Sequence, residues 1–416
     1  MSSSEQTAKS SPWVSVWLKP RQTIENILAE RPQRGVLLLG SLSLMAGTLS
    51  QLLGLAIRYR LFDWRLVVIS AIACAVAGVL GLYISGFVFK WCGRLFGGRA
   101  TATELRTVVA WGLTPSVLGL AIVLALVAVA SVTGAGEEAE PAWLLASLPL
   151  IVLIFGIWSA IVFALMFARA EKFGFWRTIL ACFLGWILSF ALSLLIAIGV
   201  RTALFQPFNT PSHSMSPTLL LGDYFFVSKF AYGYTHYSIP FAPNWFSGRI
   251  FGSEPARGDV VVFRVPKDDS VDYVKRVVGL PGDRIQVRQG VLYINDTAVK
   301  REQMADFVGG DSCGQDPAGK VRRWRETLPS GVSYEVLDCV ENGFLDNTGI
   351  FQAPAGQFFV LGDNRDNSTD SRVANFGTIP FDHLVGRAAI IYFSVAPAPG
   401  EAPAAVRSER LGQTIR

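Results

Sequence analysis

The sequence predicts two units in series: a multi-span α-helical membrane domain of about five transmembrane helices, then a mainly antiparallel β domain. Three observations carry this. Hydrophobic residues make up 51% of the 416 and charged residues 17%, at a mean hydropathy of +0.39, too apolar for an ordinary soluble protein. Five apolar stretches, each near the roughly 20 residues that a bilayer needs, lie in the first half. From Arg257 onward, short strand-like runs alternate with Gly, Pro and Asp turns. The implied segments are 1–34 (cytoplasmic lead-in), 35–200 (five spans), 201–395 (β domain, with 300–351 inserted) and 396–416 (a Pro- and Ala-rich disordered tail).

In chain order, Met1 to Ser11 is polar and lacks a signal-peptide core. Trp13 to Arg34 is amphipathic and carries Lys19, Arg21, Arg31 and Arg34. The spans are expected at Val36–Ile57, Leu66–Phe89, Val108–Val132, Trp143–Met166 and Ile179–Val200. Gly78, Gly81, Gly112 and Gly119 suit close helix packing in lipid. Loop charge sets orientation. Lys90, Arg94, Arg99 and Arg106 mark one cytoplasmic loop, and Arg169, Lys172 and Arg177 another. Glu137, Glu138 and Glu140 mark an outer loop, against which only Arg58, Arg60 and Arg65 object. An odd number of spans then leaves the N-terminus inside and the β domain outside. WLKPRQTIENIL followed by five spans resembles a Yip1-type membrane domain. With no paired intramembrane charges to mark a transport path, anchoring or partner binding is the expected role of this half.

In the second half, VVVFRV, IQVRQGVLYIND and FFVLG read as strands, and Tyr334–Val340 has hairpin character. Phe241, Trp245, Phe246 and Phe251 suit either a membrane interface or a core. Cys74, Cys92 and Cys182 belong to apolar segments. Cys313 and Cys339 can pair if their half faces an oxidising compartment, which spacing does not decide. No CxxC or HxxxH spacing suggests a metal, no cofactor motif is present, and nothing points to nucleic acid.

The chemistry concentrates in PSHSMSPTLLLGD, from Pro211, where Ser212, Ser214 and Ser216 offer hydroxyls in a Pro-bounded loop after the last span. A serine needs a base nearby. His213 is adjacent in sequence and so points away from Ser214. Lys275, in VDYVKRVVGLPGD, has Tyr273, Val274, Val277 and Val278 around it. Such burial can bring an amine from about 10.4 to near 7, at a cost of about 4 kcal/mol.

With these blocks in view, the chain resembles the bacterial type I signal peptidases, membrane-bound Ser–Lys proteases. PSHSMSPTLLLGD, RGDVVVFRVPKDDSVDYVKRVVGLPGD and GDNRDNSTDSR (Gly362 to Arg372) match the family's blocks in the family's order, and the resemblance runs from the last span to about Phe393. It implies catalysis by Ser214 and Lys275 and an oxyanion hole from the Ser214 amide and the Ser212 hydroxyl. Ser368 would bond the Lys275 ammonium. Asp370 and Arg372 would form a supporting salt bridge, with Arg276 nearby. Shallow pockets near Thr210, Pro211 and Val274 would accept the small side chains of A-x-A cleavage sites. The implied partners are secretory preproteins and the bilayer, with export machinery a further candidate. His213 departs from the family, which more often has Gly there. His236 and His383 read as turn or surface residues.

Other readings stand beside this one. A serine in a Pro-rich loop is usually only a turn residue. GDNRDNSTDSR alone could be an acidic loop, although it lacks the closing Glu of an EF-hand. A membrane scaffold whose β domain binds peptides without cutting them is the alternative function. A self-cleaving Ser–Lys repressor shares the chemistry, but it is disfavoured by the spans.

Overall fold

The computed structural model describes residues 11–30, 35–58, 64–132, 142–240, 242–314, 319–396 and 405–416. Arg31, Arg34, Arg60, the acidic loop with Glu137, Glu138 and Glu140, and Phe241 lie outside them. The chain divides into two compact units, Met1–Leu194 and Leu195–Arg416.

The first unit is helical: α1 (Pro12–Leu18), α2 (Pro20–Glu30), α3 (Val36–Arg58), α4 (Trp64–Leu95), α5 (Ala102–Gly112), α6 (Thr114–Val132), α7 (Ala142–Glu171) and α8 (Phe175–Ala203), the last running across the boundary. Four stretches are long and apolar enough to cross a bilayer: Val68–Leu95, Ala102–Val129, Ala146–Glu171 and Phe175–Ala203. In α3 the described apolar run is the shorter Val36–Ala46. The expected span Val108–Val132 is corrected. Helix begins at Ala102, where Thr101 and Glu104 form a capping box, and is interrupted at Leu113. Pro115, with no N–H to donate, sits in the first turn of α6, a place where proline is tolerated.

Small residues let these helices touch. A Cβ on Gly78 would lie 3.0 Å from the Ser41 backbone, and one on Gly112 would lie 2.8 Å from the Phe163 Cα. The lead-in is packed as well: Val16, Ile24 and Ile27 share a core cluster with Leu105, Val109 and Phe163.

The second unit is β. Its strands are β1 (Phe205–Asn209), β2 (Asp223–Ser228), β3 (Val260–Val265), β4 (Asp268–Gly279), β5 (Arg284–Arg288), β6 (Val291–Ile294), β7 (Thr297–Ala298) and β8 (Lys300–Gln303). There follow β9 (Phe307–Val308), β10 (Lys320–Thr327), β11 (Ser333–Asp338), β12 (Phe351–Gln352), β13 (Gln357–Leu361), β14 (Ile379–Pro380), β15 (Leu384–Ala396) and β16 (Ala405–Val406). The main sheet has the order β1-β2-β15-β3-β4-β13-β14, with β16 on β15. A second sheet, β11-β10-β8 with β9 on β10, is built largely from the inserted region, and a third runs β12-β5-β6-β7. All of these pairings are antiparallel. Alternate residues of β3 face two cores: Val260 and Val262 join Met215 and Leu219, while Val261 and Phe263 join Val277 and Val360.

Two sequence expectations meet the structure here. Cys313 and Cys339 are bonded, with Cα atoms 5.6 Å apart. The expected disordered tail is corrected for residues 405–416. They form β16 and a turn, anchored by arginines and by Ile415, which composition alone does not reveal. Trp245 and Phe251 are exposed.

Candidate active site

Ser214 stands in the turn-rich loop between β1 and β2, and Lys275 stands in β4 opposite Val261. The fold brings them together: Lys275 Nζ lies 2.7 Å from Ser214 Oγ. The Lys275 amine also donates to Val274 O at 3.0 Å. Lys275 is 3% exposed. Burial drives its amine down to about 8, against the smaller upward pull of the Asp370 and Asp363 carboxylates. A buried amine with that basicity, at hydrogen-bond distance from a hydroxyl, can take the hydroxyl's proton.

Ser212 Oγ donates to Ser214 Oγ at 3.3 Å from the exposed side of the loop. Thr210 is buried, its Oγ1 unpartnered among the described residues, while Pro211 is exposed. Val274 is half-buried and packs on the cluster of Met215 and Leu219. His213 faces away from this chemistry, its Nε2 being 3.8 Å from an Asp311 carboxylate oxygen. His383 Nδ1 contacts Arg264 O at 3.1 Å, and the His236 ring lies tilted against Tyr237.

The 362–372 block forms the far wall. Asp370 and Arg372 do pair, buried, at 2.8 Å. Burial pushes the Asp370 carboxyl up, but Arg372 and the Gly362 amide outweigh it and leave it below the usual range. The expected Ser368 contact is corrected, and Arg276 has a partner of its own. Arg276 does not join that pair. It grips Asp363 with two hydrogen bonds, at 2.8 and 2.7 Å, and donates to Gly258 O. Ser368 makes no hydrogen bond to Lys275. Its buried Oγ has no partner among the described residues, and it sits where a Cβ on Gly362 would be, 2.2 Å away. The same imaginary Cβ would lie 2.5 Å from Ser214 O, so only glycine lets the block approach the serine.

Several residues escaped the sequence reading. Asp363 also accepts from Thr218 of the serine loop at 2.5 Å, and Asn364 N donates to Ser214 O at 3.2 Å. Asn364 and Asn367 both donate to Ser312 O, beside the disulfide, at 2.8 Å. Arg365 pairs with Glu326 of the inserted sheet, and Tyr334 donates to Glu326 at 2.9 Å. The Arg276 guanidinium lies over the Tyr334 ring at 4.1 Å. The block displays Asp363, Asn364, Arg365 and Asn367, but their partners are distant in sequence.

With the geometry in place, comparison with known proteins is informative. A family model described as signal peptidase, peptidase S26, matches residues 183–393, and a Yip1 domain model matches residues 14–198. The signal peptidase I of Rickettsia typhi is 44% identical over 214 residues, covering 50% of this chain and 78% of the relative. That of Rickettsia prowazekii is 42% identical with the same coverage. A solved signal peptidase I from Enterococcus faecalis is 25% identical and covers 32% of this chain and 97% of that one, at a TM-score of 0.20.

Proposed function

The chain belongs to the signal peptidase (peptidase S26) family, and from that premise we propose that it is a membrane-bound Ser–Lys endopeptidase that removes signal peptides from exported preproteins after small residues. The observation that carries the reading is the 2.7 Å contact between Ser214 Oγ and a buried, weakly basic Lys275 Nζ. In this mechanism the neutral amine takes the Ser214 proton as the oxygen attacks the scissile carbonyl. The resulting ammonium gives a proton to the leaving amine. A water, activated by the same lysine, then hydrolyses the acyl-enzyme.

The oxyanion would be met by the Ser214 amide and the Ser212 hydroxyl. Asp370–Arg372 and Arg276–Asp363 hold the walls. Thr210, Pro211 and Val274 would shape a shallow site for small side chains, in keeping with A-x-A cleavage sites. We place the N-terminus in the cytoplasm and the β unit on the outer face of the inner membrane. The basic loops of the helical unit support that placement, and so does the Cys313–Cys339 bond, which suits an oxidising compartment.

The test uses the full-length protein in detergent and an A-x-A preprotein. Wild type should cleave at one site, and Ser214→Ala and Lys275→Ala should not. Undiminished cleavage by Lys275→Ala would remove the lysine from its role as base. Thiol labelling of single cysteines engineered into the β unit, from either side of the membrane, tests the orientation.

A further inference from the structure

Residues 405–416 close over the loop that carries Ser214. β16 pairs with the end of β15, Gly412 and Gln413 exchange backbone hydrogen bonds with Ile391, and Ile415 packs on the cluster of Met215 and Leu219. Two arginines of this segment address one carboxylate. Asp223 is fully buried, at 0% exposure. Arg410 Nε lies 3.0 Å from its Oδ1, and Arg410 Nη2 donates to Thr218 O at 2.9 Å. Arg407 Nη2 reaches Leu221 O at 2.5 Å and lies 3.6 Å from Asp223 Oδ1. Ser394 donates to the same carboxylate at 2.6 Å.

Asp223 is also the clasp of the serine loop. Its carboxylate accepts from Leu220 N at 2.8 Å, and its backbone oxygen accepts from Thr210 N at 2.8 Å. Ser214 lies between those two points of attachment. A buried carboxylate stays in place only while it is paired, because an uncompensated charge in the interior is strongly unfavourable. The pairing comes from a segment 187 residues away in sequence.

We propose that Arg410, assisted by Arg407, is a positioning residue for the reaction: it sets the geometry of Ser214 through Asp223 and Thr218. The C-terminal segment thus acts as a strap on the serine loop. Arg410 touches no reacting atom. The inference rests on Ser214 being the nucleophile.

The experiment compares full-length wild type, Arg410→Ala, Arg410→Lys, Asp223→Asn/Arg410→Gln and a chain stopped after residue 404. Each is assayed on an A-x-A preprotein well below its own unfolding midpoint. Arg410→Ala and the truncation should lower kcat by about 10- to 100-fold, with KM changed by less than about threefold, since small displacements of a reacting group cost that much. The pH midpoint should stay near 8 because Lys275 is untouched. Arg410→Lys should recover much of the loss, and the uncharged Asn–Gln pair should exceed Arg410→Ala. Wild-type kcat in folded Arg410→Ala, or a loss confined to thermal stability, would overturn the proposal. If Arg410→Ala does not fold, the lysine variant decides. A kcat about three- to tenfold below wild type supports the strap, and an unchanged one refutes it. Cleavage by Ser214→Ala would instead refute the underlying reading and is measured in the same series.

Discussion

Two buried lysines sit in the β unit, and they differ in one respect. Lys275 is 3% exposed and Lys229 is 1% exposed. Burial lowers each amine to about 8, helped at Lys229 by the nearby Arg201 cation and opposed at Lys275 by Asp370 and Asp363. Yet Lys229 Nζ donates to the Ser238 backbone oxygen at 2.5 Å, whereas Lys275 Nζ meets a serine hydroxyl at 2.7 Å. A weakened amine is the ordinary consequence of burying a cation. It becomes a candidate base only where the fold aims it at a proton worth taking.

The contrast can be broken most directly by removing each amine. Lys275→Ala is expected to lower kcat/KM by about 10²- to 10⁴-fold. Lys229→Met should stay within about twofold of wild type, because its amine meets a backbone oxygen and no proposed reacting group. A comparable loss in both variants, measured on the same preprotein, would erase the distinction.

The walls come next. Asp363→Ala leaves Arg276 buried without its carboxylate and should destabilise the β unit by about 3–5 kcal/mol, read by thermal unfolding in detergent. Equal melting of variant and wild type would show that this pair is dispensable. Replacing Cys313 and Cys339 by serine opens a link spanning 26 residues and should cost about 3 kcal/mol. The disulfide touches Asn364 through Cys339 Sγ and through Ser312 O, and Asn364 reaches only the backbone oxygen of Ser214, so activity well below the melting temperature should fall by less than about threefold. A larger fall would tie the inserted region directly to catalysis.

Titration sharpens the comparison further. Under the proposed mechanism Lys275 acts in its neutral form, so kcat/KM should rise as pH climbs through about 8, and Lys229→Met should leave that limb in place. For Lys229 the consequence is stability. Below pH 8 both folded and unfolded chains hold the proton, and the folded chain bears the whole penalty of burying it. Between about 8 and 10.5 only the unfolded chain keeps the proton, and stability rises with pH. Lys229→Met should therefore gain most at neutral pH, by roughly 3 kcal/mol at most, with the gain fading toward pH 10.5. A gain independent of pH would show that packing, rather than charge, is responsible.

How far this was legible varies by region. Strand β3 coincides with VVVFRV because four consecutive β-favouring apolar residues and a fifth after Arg264, bounded by Asp and Pro, leave little choice. The helical unit was legible as apolar runs, but the interruption at Leu113 was not. Hydropathy averages over a single proline, whereas the hydrogen-bond ladder does not. The tail was misread for a similar reason. Pro and Ala dominate its composition, but two arginines and Ile415 determine its contacts. Arg276 was anticipated near Asp370 because both stand in recognisable blocks. Which of three nearby acids it would grip depends on a loop path that no motif records.

What the sequence determined alone is the chemical inventory and its local setting: apolar helices, alternating strands, and a serine and a lysine each carried in its own short block. Local rules suffice there, because hydrophobic period and turn residues act over a few positions. The tertiary structure decided the pairings. Ser214 and Lys275 are 61 residues apart, Arg276 and Asp363 are 87 apart, and Asp223 and Arg410 are 187 apart. Over such separations a buried charge finds its partner through the path of the whole sheet, and the free energy of leaving it unpaired makes that choice nearly exclusive.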